Sequence, residues 1–103
     1  MKKPWGWYDK ISKNEKMLYI LPTSMTSLQT HKGRSECWVI ISGNCVVTVN
    51  DKNTRKQPND MVVIPKGVPH RIRALGNMVV VYEKWSGKYN ESDITRLEDI
   101  YQR

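Results

Sequence analysis

The sequence predicts an all-β fold, a small sandwich or barrel, and three observations carry that expectation. Short runs rich in Val, Ile, Leu, Tyr and Trp recur along the chain. Pro, Gly, Asn and Asp punctuate them at intervals of roughly 8–12 residues, as expected for strands joined by tight turns. At 103 residues the chain has room for one domain, spanning residues 1–103, with a modest core.

Taken in order, residues 1–16 are polar and aromatic and read as a hairpin or loop. Residues 17–21 form the first clear strand, ended by Pro22 and the turn formers Thr23 and Ser24. Residues 26–31 are expected as a short strand, with Lys32-Gly33 as a turn, and residues 36–42 as a β-rich run closed by Gly43-Asn44. Residues 46–49 follow, and Asn50-Asp51-Lys52-Asn53 reads as a hairpin turn. Pro58-Asn59-Asp60 leads into residues 61–64, which Pro65 stops. Residues 71–74 alternate, and Leu75-Gly76-Asn77 turns into a last strand over 78–83. From about Glu91 the tail has helical character, with Ser92 expected to cap a helical turn through Asp93-Ile94-Thr95-Arg96-Leu97.

Composition narrows the class. Hydrophobic residues are 39% and charged residues 26%, ordinary for a soluble globular protein. No apolar run approaches the roughly 18 residues of a membrane span. Met1-Lys2-Lys3 opens like a signal peptide, but Pro4-Trp5-Gly6-Trp7-Tyr8 stands where an apolar segment would follow. The cytoplasm is therefore the expected compartment, and no membrane partner is expected. Cys37 and Cys45 are too few for a disulfide framework and lack C-x-x-C spacing, so both are expected as reduced thiols. The net charge of +7 favours an anionic ligand. Basic and aromatic residues are not interleaved in any nucleic-acid-binding element, so nucleic acid is not expected.

The chain has two histidines, and the chemistry turns on where they fall. His31 stands two residues after Gln29 on an expected strand, so both side chains share a face. Glu36 begins the next strand run, with Trp38, Ile40 and Ser42 on its face and Cys37 turned away. His70 directly follows the loop Pro65-Lys66-Gly67-Val68-Pro69, whose exit a hairpinned barrel can bring beside His31. Two imidazoles and a carboxylate suit zinc, iron, manganese, nickel or cobalt, and a Gln carbonyl oxygen can complete the set. Against this, a lone histidine is usually solvated or hydrogen-bonded, and Glu36 beside Arg34 reads equally as a weak surface ion pair. Spacing alone does not decide.

Glu36 seven residues before Gly43, and Pro65-x-Gly67-x-x-His70, resemble the two cupin motifs. Three further segments extend the likeness: Lys3-Pro4-Trp5-Gly6-x-Tyr8, Ser27-Leu28-Gln29-x-His31-x-x-Arg34-Ser35-Glu36-x-Trp38, and the tail from Gly87 to Arg103. Together they resemble the type II mannose-6-phosphate isomerase cupin, a module often found at the C-terminal end of mannose-1-phosphate guanylyltransferases. The chain departs from that pattern at Gly33, where the family carries a second histidine, at Cys37, and at Lys84-Trp85. Gln29-x-His31, Glu36 and the distant His70 follow the ligand order of the zinc-dependent type I isomerases instead.

The resemblance implies a small cupin barrel holding one divalent metal ion on Gln29, His31, Glu36 and His70. Zinc is expected first, with Fe2+, Mn2+, Co2+ or Ni2+ as alternatives. It implies an aldose–ketose isomerase acting on mannose 6-phosphate or a related phosphosugar, with Glu83 and Lys84 as the catalytic candidates. Arg34, Arg73, Arg96 and Arg103 are the candidate phosphate ligands, and a homodimer made through the N-terminal strand is expected. The alternatives are a non-catalytic sugar-binding or regulatory cupin and a metal-dependent cupin dioxygenase.

Overall fold

Strict alternation of buried and outward side chains builds the molecule, and β5 (Arg34–Ser42) shows it most clearly. Arg34, Glu36, Trp38 and Ile40 are buried, while Ser35, Cys37 and Val39 between them lie half-buried on the other face. The computed structural model of the chain describes residues 1–87 and 94–98. The other strands are β1 (Lys2–Lys3), β2 (Gly6–Ser12), β3 (Glu15–Ile20), β4 (Leu28–His31), β6 (Cys45–Val49), β7 (Lys52–Lys56), β8 (Met61–Ile64), β9 (His70–Ala74), β10 (Val79–Gly87) and β11 (Ile94–Glu98). They form two antiparallel sheets, ordered β1-β2-β3-β10-β5-β8 and β11-β4-β9-β6-β7. One core lies between them, with Ile20, Ile40 and Val81 from the first sheet against Val47, Ile72 and Ala74 from the second. The all-β expectation holds.

The N-terminal segment resolves as strands rather than loop. β2 pairs with β1 and β3 of the same chain, which leaves β1 at the edge of the six-stranded sheet. Trp5 is buried in the core, and Trp7 stacks on Tyr19 across the outer face at 4.8 Å. Trp5 also reaches the cavity described below.

Two expectations need correction. The turn after β6 is only Asn50-Asp51, both left-handed at φ 51° and 65°, and Lys52 already pairs with Val49. Residues 52–56 then form β7, an edge strand of Lys, Asn, Thr and Arg with no apolar alternation to betray it. The tail offers the second. Residues 94–98 form a strand, not a helical turn, and pair antiparallel with β4 so that Ile94 faces His31 and Arg96 faces Gln29. The open edge of β4 supplies a ladder that outweighs the weak local preference for helix. The expected cap at Ser92 and the residues Glu91 and Asp93 lie outside the described residues.

Gly43, which closes β5, sits at φ 81°, and a Cβ there would lie 2.3 Å from the Met78 carbonyl oxygen. That close approach explains the glycine of the first motif.

Candidate metal centre

The second motif places His70 by backbone hydrogen bonds. Gly67, at φ 75°, donates its amide to the His31 carbonyl at 2.8 Å, and Asn50 donates to the Pro69 carbonyl at 2.9 Å. The loop is thereby pinned to the end of β4 and to the β6–β7 turn. His70 opens β9 directly opposite Gln29. Pro65 and Pro69 stiffen the two ends, and glycine takes the one backbone conformation that L side chains resist.

Three ligand-type atoms converge as a result. Glu36 Oε1 lies 3.1 Å from His31 Nε2 and 3.4 Å from His70 Nε2. All three residues are buried. Donors bound at about 2.1 Å to one tetrahedral or octahedral ion stand roughly 3.0–3.4 Å apart, so the spacing fits a metal. The proton inventory fits as well. His70 Nδ1 lies 2.9 Å from the Val68 carbonyl, which only accepts, so Nδ1 carries a hydrogen and Nε2 is the ring nitrogen left facing Glu36. Gln29 lines the same cavity, its amide nitrogen donating to Ser27 Oγ at 2.6 Å, which leaves Oε1 as its metal-type donor.

Arg34 was not expected at the centre. Its Nη2 lies 3.2 Å from His31 Nε2 and 3.4 Å from Glu36 Oε1, and its guanidinium packs 5.1 Å from the Trp85 ring. The residue is 8% exposed, so its pairing with Glu36 is a buried interaction and not the surface ion pair that adjacency allowed. Position 34 shares the inner face of β5 with Glu36, a consequence of the two-residue period.

A second carboxyl adjoins the first. The Trp38 indole donates to Glu36 Oε2 at 3.2 Å and to Glu83 Oε1 at 3.1 Å, bridging β5 and β10. Burial pushes the Glu83 carboxyl well above the usual carboxylate range, and the neighbouring Glu36 charge pushes it further. Glu36 goes the other way. Burial alone would raise it, but hydrogen bonding with Glu83, His31 and His70 outweighs burial and holds it well below that range. The two carboxyls are thereby driven apart, Glu83 toward its neutral form and Glu36 toward its charged one.

These groups line a small cavity of about 80 Å³ that opens to solvent. Of the expected site residues, Gln29, His31, Arg34, Glu36, His70, Glu83 and Arg96 line it. Arg96 stands opposite Gln29 on β11. Lys84 and Arg73 do not reach it: both are exposed on the outer faces of their strands, one residue out of phase with Glu83 and Ile72. Arg103 lies outside the described residues. Sequence reasoning missed Lys3 and Lys16, which also line the cavity. The signal available for Lys16 was its place on the Leu18 and Ile20 face of β3.

Two antiparallel sheets enclosing a His–Glu–His constellation carried on β4, β5 and β9 define a cupin. The cupin domain of Schizosaccharomyces pombe Cnp3 matches with a TM-score of 0.70 at 18% identity, over 78% of this chain and 61% of that one. The chain belongs to the family described as Mannose-6-phosphate isomerase C-terminal, whose pattern matches residues 1–99. It is 37% identical over 107 residues to the xanthan biosynthesis protein XanB of Xanthomonas campestris pv. campestris, covering 98% of this chain and 23% of XanB. It is 35% identical to the mannose-1-phosphate guanylyltransferase ManC of Salmonella typhimurium, covering 98% of this chain and 22% of ManC. The chain thus spans less than a quarter of the length of these relatives.

Proposed function

We propose that the chain is a metal-dependent aldose–ketose isomerase domain acting on mannose 6-phosphate or a related phosphosugar. One observation carries the reading: a His31–Glu36–His70 centre suited to a divalent metal shares one cavity with a buried carboxyl, Glu83, that burial pushes above the usual carboxylate range. The reaction moves a proton between C1 and C2 of the sugar through an enediol. A bound divalent ion, with zinc the first expectation, supplies Lewis acidity to the carbonyl and hydroxyl oxygens.

The chain's own groups supply the rest. His70, oriented by the Val68 carbonyl, and His31 hold their Nε2 atoms toward the centre. Glu83 is the acid–base candidate that the cavity contains, since burial and Glu36 tune it toward neutrality. Trp38 orients both carboxyls through one indole N–H. The cationic lining attracts an anionic sugar derivative.

A coupled isomerase assay with mannose 6-phosphate, after metal analysis and metal restoration, tests the reading. Turnover that disappears in Glu83→Gln while metal binding persists is the expected result. Tight sugar-phosphate binding without turnover at saturating metal would transfer support to a non-catalytic sugar-binding cupin. That alternative draws on Gly33, which stands where the family places another histidine.

A further inference from the structure

The outer face of the six-stranded sheet is apolar, and no described element covers it. Its rows follow from register, because directly paired residues share a face. Met61 on β8 stands opposite Val39 on β5, Val39 opposite Tyr82 on β10, and Tyr82 opposite Met17 on β3. One row over, Val80 stands opposite Tyr19, and Tyr19 opposite Trp7, which stacks on it. On the other side Val63 stands opposite Cys37. Met61 and Val63 are 61% and 64% exposed, while Val62 and Ile64 between and after them are buried in the core. Edge strands are normally guarded by charge, and β8 presents two large apolar side chains instead.

Charge decides what can cover this face. The chain carries a net +7, yet the charged groups bordering the three rows balance: Lys2 and Lys84 against Asp9 and Glu15. Lys84 stands opposite Glu15, which also accepts a hydrogen bond from the Tyr82 hydroxyl. The outer face of the other sheet is the reverse, with exposed Arg55 and Arg73 on either side of Val46. Two copies of a +7 chain repel one another, so the neutral apolar face is where they meet with least opposition. The opposite edge, β1, is two lysines long and would set like charges together.

The area is sufficient. From β8 to β2 the face crosses five strands at about 4.8 Å, and a five-residue span such as 37–41 adds about 17 Å of length, for roughly 400 Å² of flat area. An apolar patch of that size on a monomer marks an interaction site. Two such faces supply roughly 800 Å² before side-chain corrugation is counted, close to the roughly 1,000 Å² at which specific interfaces begin.

We propose that a second copy of this chain covers the face, the two six-stranded sheets packing against each other with Met61, Val39, Tyr82 and Met17 at the centre of the contact. The strands so clamped carry Glu36, Glu83 and Lys16 on their opposite, inner faces, so the contact backs one wall of the cavity. It is independent of the phosphosugar reading.

Sedimentation velocity of the full chain from about 1 to 100 μM, against 12.0 kDa for one copy, tests the proposal. A dimer is expected, and added salt is expected to strengthen it by screening the repulsion between like-charged copies. Met61→Asp combined with Val63→Asp lowers the net charge and so weakens that repulsion. It is nevertheless expected to raise the dissociation constant by at least about 100-fold, because it buries carboxylates in the contact. Met61→Thr combined with Val63→Thr keeps good strand formers at both positions and is expected to raise it by at least about tenfold. Leu97→Asp, at a residue 54% exposed on the other sheet, is expected to leave the dimer intact, with circular dichroism as the folding control throughout. A monomeric parent at the highest concentration overturns the proposal and assigns the face to a different polypeptide. A dissociation constant within twofold of the parent in both double variants, or a dimer weakened by salt, overturns it as well.

Discussion

The two walls of the cavity are chemical opposites. The wall made by β4, β5 and β9 presents lone pairs and a carboxylate: His31, His70 and Glu36 converge within hydrogen-bonding distance on a place that suits a cation. The wall made by β1, β2 and β3 presents Lys3 and Lys16 against the Tyr8 ring. Glu83 on β10 stands between them, its carboxyl pushed above the usual range by burial and by Glu36. The difference teaches how one cavity can carry a ligand-rich wall and a cationic wall drawn from different strands. The Trp38 indole ties the carboxyls of Glu36 and Glu83 together at the boundary, donating to both.

The largest expected effect removes the cation-seeking wall. His31→Ala and His70→Ala should each lower metal affinity by more than about 100-fold, beyond the 10- to 100-fold typical of losing a ligand's outer partner. Elemental analysis and metal titration check this, with circular dichroism as the folding control. Retained stoichiometric metal in both variants would mean that the triad is not the site.

The two carboxyls give the next contrast. Glu36→Gln should destabilise the fold by about 2–3 kcal/mol, because it removes the charge facing Arg34 from a buried cluster. Glu83→Gln should change stability by less than about 1 kcal/mol, since the amide replaces a carboxyl that burial already drives toward its neutral form. Urea unfolding measures both. The pH dependence has opposite signs. Glu36 titrates lower in the folded state, so its contribution is present above the ordinary carboxylate range and fades as pH falls through its lowered value. Glu83 titrates higher when folded, so its contribution is full at low pH and declines as pH rises from the ordinary range through its raised value. Glu83→Gln should therefore gain on the parent as pH rises, and an equal loss for the two variants would break the asymmetry.

Arg34 sharpens the comparison from inside the metal wall. Its guanidinium lies 3.2 Å from His31 Nε2, the nitrogen a metal would take. Arg34→Met should tighten metal binding by about tenfold, roughly 1.4 kcal/mol. Weaker binding in the titration would show instead that Arg34 organises Glu36 for the metal. The smallest effect belongs to Arg96, exposed at the mouth. Arg96→Ala should weaken mannose 6-phosphate binding by about two- to threefold, with the loss shrinking as salt is raised.

Much of the site was legible because its signals are local. Glu36 and Gly43 bound one strand, with Gly43 meeting the Met78 carbonyl, and Pro65-x-Gly67-x-x-His70 encodes the loop whose Gly67 amide reaches His31. Gln29 and His31 share a face through the pleat alone. Arg73 and Lys84 went astray by one residue of phase, which a short alternating run such as Arg71-Ile72-Arg73 does not settle without knowing which face is inside. β7 carried no apolar pattern, and the tail strand carried a helical one.

By itself, then, the sequence determined the all-β class, the family and the triad His31, Glu36 and His70, because alternation, turn chemistry and motif spacing act over a few residues. Only the tertiary structure decided which strands are neighbours. That placed Lys16 beside Glu83, Glu83 against the Trp38 indole, and residues 94–98 along β4. It also turned Arg34 from a surface neighbour of Glu36 into a buried cation at the centre. Charge placement in the cavity depends on burial and on contacts between residues as much as 69 positions apart, such as Lys16 and Trp85, and no local pattern records them.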